Sequence, residues 1–156
     1  MAYIVDGNNV MGQRPGWHRD RAAARRNLLE ELSAFALARQ ARITAVFDGE
    51  PGRDFPEGSA HKGVKVLYAL PGSDADHRIE QLVASSRDPR GLTVVTSDRR
   101  LAFTLRSLGA RVMRSGEFRR LIEDASARVS SRESDQKIDP ENMDDWLDYF
   151  GVSDDQ

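Results

Sequence analysis

Five short apolar runs alternate along this chain with longer segments whose apolar residues recur every three or four positions. The runs are Tyr3-Ile4-Val5, Ile43-Thr44-Ala45-Val46-Phe47, Val64 to Leu70, Leu92-Thr93-Val94-Val95-Thr96 and Ala110 to Met113. Runs this short and rich in β-formers read as buried strands. Between them, Arg21 to Gln40 carries Leu28, Leu29, Leu32, Phe35, Ala36 and Leu37 at helical spacing behind the start signal Asp20, with Arg21, Arg25 and Arg26 outside. Ile79, Leu82 and Val83 mark a second helix, and Leu101, Ala102, Leu105 and Leu108 a third that Gly109 ends. Ser115 to Ile122 gives a short last helix anchored by Phe118, Leu121 and Ile122. Met11 to Arg19 and Glu50 to Gly63 are rich in glycine, proline and charge and read as loops. Strands alternating with helices imply right-handed crossovers, hence a three-layer α/β domain around a mostly parallel five-stranded sheet with the first strand in its middle.

The punctuation between elements carries the chemistry. The first strand stops at Asp6-Gly7-Asn8-Asn9, the second at Asp48-Gly49, the third runs into Asp74-Ala75-Asp76, and the fourth into Thr96-Ser97-Asp98. In a parallel sheet all carboxyl ends share one edge, so Asp6, Asp48, Asp74 or Asp76, and Asp98 converge if the strands are neighbours. Four acids in one cleft repel, and a divalent cation relieves that repulsion; hard oxygen donors favour Mg²⁺ or Mn²⁺ over zinc. The chemistry this implies is metal-assisted phosphoryl transfer. Taken singly, each Asp also suits a helix cap or a turn. The recurrence after four strands is what those local roles leave unexplained.

Charge sharpens the choice of substrate. Residues 133–156 hold nine acids and one base, leaving 16 acids and 22 bases, a net of about +6, in residues 1–132. Nearly all of these bases are arginine, the side chain best suited to phosphate and to planar groups. Nucleic acid is therefore the expected partner. Arg14, Arg53, Lys62 and Arg99 lie on loops or at a helix start where they could follow a phosphate backbone, Trp17 could stack on an unpaired base, and Asn8, Asn9, Thr96 and Ser97 could orient waters or phosphate. The chain has no cysteine, which excludes disulfides and thiolate chemistry. It opens directly into a strand without a basic, apolar leader and has no run long enough for a membrane span, so a cytoplasmic protein is expected.

Together Asp6-Gly7-Asn8-Asn9, Phe47-Asp48-Gly49, Ala75-Asp76 and Thr96-Ser97-Asp98 resemble the PIN-like nuclease fold, most closely the YacP-like branch of its NYN domains, over about residues 1 to 122. The resemblance implies a metal-dependent endoribonuclease acting on single-stranded RNA. It maps Asp6 and Asp98 onto the metal-binding acids, Asp76 onto the acid opening the helix after the third strand, Asp48 onto the acid of the second motif and Asn9 onto the amide of the first; Asp6, Asp76 and Asp98 are expected as the metal ligands, with Asp48 supporting them. Ala-Asp before a helix favours Asp76 over Asp74, while His77 departs from the residue usual at its position. An RNA-binding adaptor with the same fold and little catalysis is the alternative. A signalling receiver fits less well, since Ala110 to Gly116 offers Arg111 and Arg114 but no lysine, and a haloacid dehalogenase would carry an acid where Asn8 stands.

Past this domain, assigned to residues 1–123, residues 124–138 read as a linker. Residues 139–156 read as an acidic tail whose short helix gathers Met143, Trp146, Leu147 and Phe150 on one face. That face suits docking on the body or a protein partner. The tail's charge also suggests competition with RNA for the basic body.

Overall fold

The computed structural model describes residues 1–136. Its strands and helices are β1 (Ala2–Asp6), α1 (Gly7–Met11), α2 (Arg21–Arg39), β2 (Arg42–Phe47), β3 (Ala60–His61), β4 (Val64–Tyr68), α3 (Ala75–Ala84), β5 (Leu92–Val95), α4 (Arg99–Ser107), β6 (Arg111–Met113) and α5 (Ser115–Gln136), with 3-10 turns at Trp17–Arg19 and Pro89–Gly91. The sheet order is β3-β4-β2-β1-β5-β6. All neighbours are parallel except β3 and β4, and β1 lies between β2 and β5 as the sequence predicts.

Alternation along each strand sorts its side chains between two cores. Tyr3, Val5, Ile43, Ala45, Phe47, Val66 and Tyr68 join Leu28, Leu29, Leu32 and Phe35 of α2 and Phe118 and Ile122 of α5. Ile4, Val46, Leu67 and Val94 face the other way, against Ile79 and Val83 of α3 and Leu101 and Leu105 of α4. The register Val5 to Ala45 to Val66 keeps the first set level across three strands. A slip of one residue would exchange the two cores.

Four details differ from the sequence reading. The sheet has six strands, because a two-residue β3 folds back antiparallel onto β4 within the loop after β2. That loop leaves from the carboxyl edge but has to return to the amino edge, since β4 runs parallel to β2, so His61 and Lys62 end at the amino edge. In α2, Leu37 is 83% exposed, whereas Arg25 turns inward with its guanidinium 5.0 Å from the ring centres of Phe47 and Tyr68. Finally, α5 continues to Gln136, so residues 124–136 are helical where a linker was expected. The expected tail helix lies outside the described residues.

Candidate active site

The carboxyl ends of β2, β1 and β5 stand side by side, and the segments leaving them carry Asp48, Asp6 and Asp98. Asp6 ends β1 and is only 5% exposed. α1 starts immediately behind it, so Gly7 is a helical residue rather than a turn. A Cβ at Gly7 would lie 2.4 Å from the Phe47 ring, and this close approach requires glycine.

Hydrogen bonds from distant segments hold the acids. The buried Thr96 hydroxyl donates to Asp6 Oδ2 at 3.0 Å and accepts the Asp98 N–H at 3.1 Å. Asn8 Oδ1 accepts the Asp48 N–H at 3.0 Å, and Asp48 Oδ1 in turn accepts the Ala75 N–H at 2.8 Å, tying the end of β2 to the start of α3. Asn9 Oδ1 accepts the Ser97 N–H at 3.0 Å and the Ser115 hydroxyl, while Ser97 Oγ accepts the Ser115 N–H at 3.0 Å. Asn8, Asn9 and Ser97 thus brace the site. Ser115 was missed in the sequence, because a serine after the last strand reads as an ordinary helix start.

The acids sense one another through space. Burial pushes Asp6 up to about 7 against the opposing Thr96 bond, and Asp76 and Asp48 add to the rise. Burial also pushes Asp76 up to about 6, with repulsion from Asp98, Asp74, Asp48 and Glu80. Asp74 behaves differently. Its carboxylate accepts the His77 backbone N–H at 2.9 Å as the cap of α3, pairs with His77 Nδ1 at 2.8 Å, and is held below the usual carboxylate range by those two bonds. Asp98 likewise caps α4 through the Leu101 N–H at 3.0 Å, which leaves its second oxygen without a hydrogen bond among the described residues. The donor set is all oxygen, and its mutual repulsion is what a divalent cation would neutralise. Among the described residues, however, no three acids or imidazoles already stand grouped to share one ion.

The other candidates divide. Arg99 is exposed in the first turn of α4, directly after Asp98, and Arg53 is exposed in the loop after β2. Arg14 is paired with Glu31 at 2.9 Å, a carboxylate that also holds the buried Arg119 at 2.8 Å. Lys62 pairs with Glu30 at the opposite edge of the sheet and so leaves the site. Trp17 packs against the core and has the Arg21 guanidinium 5.6 Å from its ring centre, so a role in base stacking is not what its surroundings serve.

A cavity of about 490 Å³ adjoins the acids on the β4 side, lined by Gly49, Pro51, Tyr68, Leu70, Gly72 and Ser73 among others. Its wall is held by Arg78, which donates to the Tyr68 carbonyl at 3.0 Å and pairs with Glu57 at 2.8 Å. No helix among the described residues is long and apolar enough to cross a membrane.

The fold recurs in solved structures. Rae1 (YacP) from Bacillus subtilis superposes with a TM-score of 0.73 at 23% identity, over 99% of this chain and 89% of that one. Its W164L mutant gives 0.72 at 25% identity, over 90% and 86%. No curated protein sequence matches the chain. The architecture is therefore PIN-like, a mostly parallel sheet between helical layers. The model of the YacP-like NYN domain matches residues 3–151, well past the point near residue 122 where the motif resemblance stops. The chain belongs to the YacP-like NYN domain family.

Proposed function

We propose that this protein is a divalent-metal-dependent endoribonuclease that cleaves single-stranded RNA at the carboxyl edge of its sheet. Family membership supports the ribonuclease type of function. The observation that carries the metal reading is the shared electrostatics of the acids. Asp6 and Asp76, delivered from different segments of the chain, are both raised above the ordinary carboxylate range, first by burial and then by the carboxylates around them. Asp6, Asp76 and Asp98 would hold Mg²⁺ or Mn²⁺, with Asp48 supporting them from its bond to the start of α3. Asp74, engaged in its cap, is the weaker ligand. When bound, such an ion supplies an activated water and offsets charge on the scissile phosphate.

The chain's own contribution is placement. Thr96 fixes one oxygen of Asp6, Asn8 positions the Asp48 loop, and Asn9 with Ser115 holds the segment that presents Asp98. Arg53 and Arg99, both exposed, would meet phosphates flanking the cleavage point, and the neighbouring cavity would take one nucleotide.

The test is cleavage of a labelled single-stranded RNA across a Mn²⁺ and Mg²⁺ titration. Wild type should cut only with metal, and Asp6→Asn and Asp98→Asn should each lose at least a hundredfold while remaining folded; asparagine keeps the α4 cap. Cleavage persisting in both variants at the wild-type rate would reject the assignment. A second reading, an RNA-binding adaptor, has one observation in its favour: the acids are not grouped in advance for an ion. RNA binding without cleavage at any metal concentration would select it.

A further inference from the structure

Beyond Arg99, the solvent face of α4 has no role in folding or in the site described above, yet its composition is far from neutral. Leu101, Ala102 and Leu105 bury the opposite face against the sheet. Outward, Arg99, Arg100, Phe103 and Arg106 occupy an arc of roughly 120° at 100° per residue. Phe103 is 75% exposed, so the core does not use it. Among the described residues, none of these three arginines has a carboxylate partner, in contrast to Arg14, Arg26, Arg78, Arg119 and Arg128.

The placement also runs against the helix itself. Positions in a first turn favour acidic side chains, because the unpaired N–H groups there make a positive pole. Arg99 and Arg100 add positive charge to that pole. A bound polyanion would offset the cost. The face is moreover continuous with the carboxylates, since Asp98 is the residue that caps α4.

We propose that this face of α4 is the track along which single-stranded RNA leaves the carboxylate cluster, with Arg99, Arg100 and Arg106 on phosphates and Phe103 stacked on a base. Phe103 lies four residues after Arg99 and three before Arg106, one helical turn from each, which places the ring between two phosphate-binding groups. Guanidinium binds phosphate bidentately, and an aromatic face accepts any base, so the track follows the backbone without selecting sequence. The inference rests on the RNA part of the proposed function and not on its metal chemistry.

The test measures binding of a fluorescein-labelled single-stranded RNA to the full chain by anisotropy, in EDTA and at several salt concentrations. Phe103→Ala should weaken binding about tenfold with the salt slope unchanged, and Phe103→Trp should restore it. Replacing Arg99, Arg100 and Arg106 together by glutamine should weaken binding further and flatten the slope of log affinity against log salt by about 2. Cleavage of the same RNA with Mn²⁺ is measured in parallel. If wild type binds and cuts while the variants bind equally well, the track is wrong and the ribonuclease reading survives. If wild type neither binds nor cuts, both fall.

Discussion

The two edges of the sheet are built from the same strands and have opposite characters. At the carboxyl edge Asp6, Asp48, Asp76 and Asp98 lie near enough to raise the pKa of Asp6 and Asp76, and bonds from other segments hold the strand ends that carry them. At the amino edge, Arg90 and Arg111 border an open cavity of about 430 Å³ beside Met1 and Glu117, and Lys62 makes an exposed pair with Glu30. Like charges are tolerated there by spreading them into water. At the carboxyl edge Asp6 and Asp48 are held by hydrogen bonds from distant segments, and burial raises the pKa of Asp6 and Asp76. Of these carboxylates the fold buries Asp6 outright, a cost that folding alone does not explain.

The strongest way to break the contrast is to remove a buried charge. Asp6→Asn should abolish metal-dependent cleavage and at the same time stabilise the metal-free protein at pH 8. The folded protein holds the Asp6 proton more tightly than the unfolded chain, from the ordinary 3.8 to about 7. The contribution of Asp6 to stability is therefore fullest below about pH 4 and lost as pH rises through 7. The shift corresponds to a gain on the order of 2 to 4 kcal/mol for the variant at pH 8, read as a higher Tm in EDTA. Added Mn²⁺ should raise the Tm of wild type and leave the variant nearly unmoved.

Gly7→Ala comes next. Its methyl would meet the Phe47 ring at 2.4 Å, and the ring is fully buried, so denaturant melts should show a loss of about 1 to 3 kcal/mol. Asn9→Ala would leave the Ser97 N–H and Ser115 hydroxyl without their acceptor, costing about 1 to 2 kcal/mol and lowering kcat through a displaced Asp98. At the far end of the scale, Arg111→Gln at the amino edge should stay within about 0.5 kcal/mol of wild type with cleavage unchanged. A large effect there would erase the distinction between the edges.

Much of this organisation was readable in the residues themselves. The β1 centre, the start of α2 at Asp20 and the caps at Asp74 and Asp98 follow from local signals, and each is found where those signals put it. What escaped depended on partners far away in the chain. Gly7 reads as a turn residue until Phe47 is seen against it, and Lys62 reads as a site residue until the return of the chain to the amino edge moves it away. The polar run after Ile122 reads as a linker, yet α5 carries it as helix, with Ala125 still buried on its inner side. Phe103 is the instructive case. Helical spacing gives its exposure, but only the absence of partners for its neighbours makes that exposure meaningful.

One property of the braces bears on how the protein is made. Thr96 to Asp6, Asn9 to Ser97 and Asn9 to Ser115 close loops of 90, 88 and 106 residues. Contacts of such separation form late, because they are reached only after the intervening chain has been ordered. A chain still emerging from the ribosome displays Asp6 early, but it lacks the hydroxyl and the serine that set its geometry until residue 115 is clear. The proposed centre is thus assembled only once residue 115 is free to fold, and a copy halted before that point carries Asp6 without the arrangement.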